Sequence, residues 1–91
     1  MVQSFKDKDT ERIFRRERVR RFQSFEKVAL RKLVLLHGVT ALADLKGKGL
    51  GLEALKEDRA GQHAIRINDV WRVCFVWKDG HAHNVEIVNY H

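Results

Sequence analysis

An α+β domain is predicted: two N-terminal helices packed on one face of a small antiparallel sheet. Three observations predict it. Apolar residues recur at three- and four-residue steps from about Ser24 to Leu36, the period of a helix seated on a core. Beyond residue 61 the pattern changes to alternation, in QHAIRI (62–67), VWRVCFVW (70–77) and NVEIVNYH (84–91), the period of half-buried strands. The length of 91 residues allows one domain, 1–91, around one modest core.

The helical half reads in order. VQSF (2–5) alternates and suits an edge strand. DKDTERIF (7–14) opens the first helix, with Asp7, Asp9 and Thr10 as candidate N-caps and Glu11 in the first turn, where the helix dipole favours acids. Ile13 and Phe14 seat it. RRERVRR (15–21) is a surface by its basic density. In the second helix Phe25, Val28, Ala29, Leu33 and Leu36 form the buried stripe, Leu30 widens it, and Gly38 stops it. His37 is placed to meet the free carbonyls of the helix end. Thr40 is a candidate cap for a short turn, ALADL (41–45). KGKGLG (46–51) is a flexible connector, since it lacks the preceding strand and the Gly-Lys-Ser/Thr ending of a phosphate loop.

Residues 62–91 are predicted as a three-strand meander whose register follows from parity. Ile65 and Ile67 must share the core face with Trp71, Val73, Phe75 and Trp77, which requires an odd first loop, Asn68-Asp69-Val70. The second turn is predicted as the three-residue loop Lys78-Asp79-Gly80, with Gly80 left-handed. Val73 then opposes Val85, Arg66 opposes Arg72, and Arg72 opposes Glu86. Val88 and Tyr90 continue the arginine face, with Asn68 at its rim. Two guanidiniums with a phenol at the edge make a seat for a phosphate. His63, His81 and His83 share a parity with core positions and lack the spacing of metal ligands.

The net charge is +6, which favours polyanionic partners. Residues 1–37 hold 11 Lys/Arg against 5 Asp/Glu, and residues 38–91 hold 7 of each, so the excess lies in the first two-fifths. That basic stretch, with Arg12, Arg15, Arg16, Arg18, Arg20 and Arg21, suits either RNA phosphates or an acidic partner surface. A single cysteine, Cys74, excludes an internal disulfide and fits a reducing compartment. No apolar run approaches the ~18 residues of a membrane span and the first residues are no signal peptide, so a cytoplasmic protein without membrane contact is expected.

The stretch LEALKEDRAGQHAIRINDVWRVCFVW (52–77), followed by NVEIVNYH, resembles the HigB branch of the RelE-like toxins of bacterial toxin–antitoxin pairs. The N-terminal SF-x-x-K…F pattern and the length fit as well, and N-D-x-W-R with the terminal x-Y-H is the most specific part. The resemblance implies a RelE-like fold and a ribosome-dependent endoribonuclease that cuts translated messenger RNA. It also implies silencing by a helix-turn-helix, HigA-like antitoxin, with operator DNA reached only through that antitoxin. Neither metal nor cofactor is implied. The family's active-site pattern falls on Lys56, Asn68, Arg72, Tyr90 and His91, with Arg66 a neighbour on the same predicted face. Two departures stand out. Asn89 occupies a position where the family commonly has Asp, and an amide cannot act as a general base. Glu53-Ala54 replaces the family's frequent His-Pro, so Glu53 is left as an auxiliary proton acceptor.

Metal-free RNA cleavage needs a base for the 2′-hydroxyl, cations for the pentacoordinate phosphate, and an acid for the leaving 5′-oxygen. Arg72, Arg66 and Lys56 supply charge. His91 suits proton transfer near neutrality, and Tyr90 can donate a hydrogen bond, stack a base or act as base. Two other classes of function remain open at this point: a non-catalytic inhibitor like the related ParE toxins, and a decayed toxin acting only as corepressor with its antitoxin.

Overall fold

The computed structural model describes residues 1–47 and 49–89. Its elements are α1 (Lys8–Phe14), α2 (Glu26–Gly38), β1 (Glu53–Ala54), β2 (His63–Arg66), β3 (Arg72–Lys78) and β4 (His81–Val88). The strands form one antiparallel sheet in the order β1-β2-β3-β4. The α+β class expected from the sequence is therefore observed. The meander gains a fourth, two-residue strand at Glu53–Ala54, which its two-residue length hides from any periodicity.

Asp7 caps α1, accepting hydrogen bonds from the Thr10 N–H at 3.0 Å and the Thr10 hydroxyl at 2.7 Å. The helix ends in a Schellman motif: the Arg16 N–H donates to the Ile13 carbonyl and the Glu17 N–H to the Arg12 carbonyl. Arg16 holds the left-handed position with φ 64°, where glycine is the usual residue. A short 3-10 turn, Arg20–Phe25, leads into α2 and buries Phe22 and Phe25. Ala29, Leu33 and Leu36 of α2 are fully buried, as the stripe predicts. They meet Ile65, Val73, Phe75, Val85 and Ile87 from the sheet. Among the described residues His37 makes no bond to the helix-end carbonyls: its Nδ1 accepts from the Val2 N–H at 3.1 Å. The N-terminal segment lies close enough to claim it.

The β2–β3 pairing is as parity requires, with Ile65 opposite Val73 and Arg66 opposite Arg72. The β3–β4 register is not. Asp79 (φ 54°) and Gly80 (φ 80°) form a two-residue turn of the I′ kind, so Lys78 pairs with His81 and Trp77 with Ala82. An even turn alone would invert the faces of β4. A β-bulge between Cys74 and Val76, with Asn84 left-handed at φ 52°, restores the parity. Val73 consequently faces Ile87, Cys74 faces Glu86, and Arg72 faces Val88 rather than Glu86. His81 and His83 oppose Lys78 and Val76, off the core face on which the sequence placed them.

The N-terminal segment stitches this bulge. Val2 and Phe5 form isolated parallel bridges to Ala82 and Val85, in place of a continuous edge strand. The Asn84 N–H donates to the Ser4 hydroxyl at 2.9 Å, and the Val85 N–H to the Ser4 carbonyl at 3.0 Å. Deeper in, the fully buried Thr10 hydroxyl accepts from the Ile87 N–H at 2.9 Å, clipping α1 to β4.

Thr10→Val keeps the volume and strands that donor in the interior. Equilibrium urea unfolding is expected to show a loss of ~1–3 kcal/mol, the cost of an unsatisfied buried group. Arg16→Gly should instead gain roughly 0.5–1 kcal/mol, because it relieves a left-handed arginine.

Candidate active site

The face of the sheet turned away from the helices carries two rows of side chains, because partners across an antiparallel ladder point the same way. In one row Arg66 and Arg72 stand side by side, followed by Val88. In the next, Glu53, Ala64, Cys74 and Glu86 run from β1 to β4. The small pair Ala64 and Cys74 makes a fully buried floor between two carboxylates.

The N-D-x-W-R stretch builds the arginine end. The Asn68 Oδ1 accepts from the Val70 and Trp71 N–H groups, both at 2.8 Å, which closes an Asx-type turn. Asp69 pairs with Arg66 at the surface. Trp71 lies against Phe25 and Phe22, with ring centroids 5.1 Å and 5.6 Å away, and so anchors the turn in the aromatic core. Arg72 donates to the Asn68 carbonyl and, at 3.1 Å, to the Trp71 carbonyl. Among the described residues Arg72 makes no ion pair. Its charge is held in place by backbone dipoles and remains uncompensated.

Sequence reasoning missed Arg59 and gave Glu86 a different partner. Arg59, from the 3-10 turn Glu57–Arg59, donates to Glu86 at 2.8 Å and to Gln62 at 3.1 Å. Glu86 is only 12% exposed at its side chain and Arg59 28%, so this is a largely desolvated pair. Lys6 adds a looser contact to Glu86 at 3.6 Å. The signal was available: Glu86 is the lone acid on the outward parity of β4, and such a group needs a cation. The wrong register gave it Arg72. Around Cys74 burial is the largest influence, and two cations and two carboxylates oppose one another. Burial pushes the thiol up to about 11, with Glu86 and Glu53 adding and Arg59 and Arg72 opposing.

Comparison with known proteins bears on this geometry. Residues 3–91 match the family described as RelE-like toxin of type II toxin–antitoxin system HigB. The chain is 34% identical over 87 residues to Toxin HigB-1 of Vibrio cholerae serotype O1, covering 92% of each protein. It belongs to the HigB-like branch of the RelE toxin family. Two solved structures share its fold. The YoeB–YefM complex from Staphylococcus aureus matches with a TM-score of 0.63 at 23% identity, covering 100% of this chain and 98% of that one. The YoeB dimer from the same organism matches at 0.55 and 22%, covering 99% and 97%. As a type II toxin the protein has an antitoxin for a partner, and RelE-like toxins are generally ribonucleases.

Of the residues that the resemblance assigns, the toxin brings Arg66, Arg72 and Asn68 together at one end of the β2–β3 hairpin. Glu53 lies on the same face at the edge strand, one row away. Asn89 is exposed just beyond β4. Lys56 stands past the Ala54–His63 pair, at the other end of β2 from Arg66. Tyr90 and His91 lie outside the described residues. In the basic stretch, Arg12 pairs with Asp9 at 3.2 Å, Arg15 with Glu11 at 2.9 Å, Arg18 with Glu26 at 3.7 Å, and Arg21 with Asp9 at 2.9 Å. Arg16 and Arg20 have no such partner among the described residues. Among those residues no helix is long and apolar enough to cross a membrane.

The Cys74 thiol should resist alkylation. At pH 8 iodoacetamide is expected to label the native toxin on the order of a hundredfold more slowly than the urea-unfolded chain, since two pKa units remove that much thiolate. The raised value also means that this group's stabilising share is complete below pH 9. It is lost as pH rises from there through about 11, a decline that urea titrations across this window will register.

Proposed function

We propose that the toxin is a ribosome-dependent endoribonuclease that cuts translated messenger RNA by attack of a 2′-hydroxyl on its neighbouring phosphodiester, without a metal ion. The observation that carries this reading is Arg72, which makes no ion pair among the described residues and is fixed by two main-chain carbonyls beside Arg66. A planar guanidinium held rigidly offers paired N–H donors to phosphate oxygens and loses little freedom on binding. Arg66, whose surface pairing with Asp69 is weak, contributes a second cation.

In this reading Arg72 stabilises the charge that builds on the phosphate, and Asn68 is a positioning residue that holds Arg72. Tyr90 and His91, assigned from the sequence alone, exchange protons with the attacking and leaving oxygens. Glu53 is an auxiliary proton acceptor on the same face, and Lys56 adds charge at its far end. Asn89 replaces a carboxylate with an amide that can only hydrogen-bond. So small a set makes a feeble free ribonuclease, and a ribosome that presents the message already in place supplies the missing alignment. The antitoxin is a helix-turn-helix, HigA-like protein through which the pair reaches operator DNA. Arg16 and Arg20 provide cations for ribosomal RNA, alongside the paired Arg12, Arg15, Arg18 and Arg21.

Expression of the wild-type toxin should arrest growth and produce new 5′ ends within translated transcripts on primer extension. Arg72→Ala should lower cleavage by about 10²–10³, the usual cost of one donor to a transition-state oxyanion, with Arg72→Lys between the two. Equal arrest by both proteins with no new 5′ ends would overturn the reading. Arrest with inhibited DNA supercoiling would assign the toxin to the non-catalytic class instead.

A further inference from the structure

At the end of β4 a cleft of about 390 Å³ opens between the N-terminus of α1, the 3-10 turn before α2, and the site face. That size lies within the range of small-ligand sites, roughly 300–1,000 Å³. Asp7, Arg21, Arg59, Trp71, Glu86 and Asn89 contribute its polar and aromatic lining, with Ile87 and Val88 between them. Val88 is the cross-strand partner of Arg72, so the cleft borders the arginine row. One indole, two guanidiniums, two carboxylates and an amide line this one opening.

We infer that this cleft is a subsite for one unpaired nucleotide of the RNA, with the base against Trp71 and the phosphate on Arg59, which exchanges Glu86 for it. The inference rests on the ribonuclease reading and deepens it by assigning the chemistry next to the scissile bond. Unpaired bases stack on aromatic side chains whatever their sequence, at ~1–3 kcal/mol each. Trp71 packs with Phe22 and Phe25 on its core side and is therefore rigid, a favourable platform. Arg59 already sits with a desolvated anion, the Glu86 carboxylate, in a geometry that a phosphate oxygen can take over. Arg21, on the opposite wall, is held by two carboxylates and lies over the Phe22 ring. The four charges lining the cleft cancel, so Glu86 competes with the RNA and tunes its affinity downwards. Asn89 offers both a donor and an acceptor to a base edge.

The test is a fluorescence titration with a short single-stranded oligoribonucleotide, 2′-O-methylated so that it cannot be cut. In a Trp77→Phe background Trp71 is the sole tryptophan, and stacking should quench its emission. Arg59→Met is expected to weaken binding and to reduce the slope of log affinity against log salt by about 0.7, one phosphate contact to a single strand. Glu86→Gln keeps a hydrogen-bond acceptor for Arg59 and removes the competing charge, so it should tighten binding while lowering the melting temperature. A purely structural ion pair would weaken binding in both variants, and that result would overturn the inference. So would an unquenched Trp71 up to millimolar oligonucleotide at low salt, or an Arg59→Met slope equal to that of the parent. The transcript-cleavage assay is read separately: a toxin that cuts through Arg72 but leaves Trp71 silent retains its activity and loses only this subsite.

Discussion

The parity of β4 governs everything the sheet presents. A two-residue turn at Asp79-Gly80 suits the right-handed twist of the hairpin, but an even turn sends every following side chain of β4 to the other face. One extra residue at the bulge reverses this inversion. Downstream of it Val85 and Ile87 are buried against the helices while Glu86 and Val88 join the arginine face. The main-chain groups freed by the bulge are taken up by Ser4, through both its hydroxyl and its carbonyl. The first residues of the chain therefore hold open the register that sets what β4 presents beside Arg72.

The N-D-x-W-R stretch shows how a motif can be structural and chemical in the same residues. Asn68 spends its side-chain oxygen on two main-chain donors, and Trp71 is fixed among phenylalanines. Neither is released to act freely. What they produce is a guanidinium, Arg72, aimed by carbonyls rather than by an acid. A carboxylate partner would have held Arg72 equally well and cancelled its charge. With carbonyl partners the charge stays available, as the phosphate-binding role proposed for Arg72 requires.

Charge on the helical side behaves differently. The basic stretch looks like a polycation in the sequence, yet α1 and the start of α2 supply Asp9, Glu11 and Glu26 to four of its six arginines. Such exposed pairs are each worth little, roughly 0–1 kcal/mol, and screen readily. They leave a surface that is basic overall but easily rearranged by a charged partner, whether RNA or protein. On the sheet face the Arg59–Glu86 pair is more deeply set, and breaking it by removing one partner leaves a charge poorly solvated.

By itself the sequence determined the class of fold, a capped start of α1 among Asp7, Asp9 and Thr10, the buried stripe of α2, and the pairing of Arg66 with Arg72. Each of these is set by local periodicity or by a hydrophobic face that admits one register. The family also follows from the N-D-x-W-R stretch with its surroundings. Tertiary structure alone decided the partner of Glu86, the short strand at Glu53–Ala54, and the place of Lys56 at the far end of β2. The strand and Lys56 lie in a stretch too short to show a period; for Glu86 the reason is one of parity. Alternation reports which face a residue occupies but cannot separate an odd turn from an even turn followed by a bulge. The two solutions bury the same Val85 and Ile87, differ at His81, Ala82 and His83, and move the β4 partner of Arg72 by two residues. Which charges meet across the sheet is fixed only when Asp79, Gly80 and Asn84 adopt positive φ and the N-terminal segment closes over the bulge.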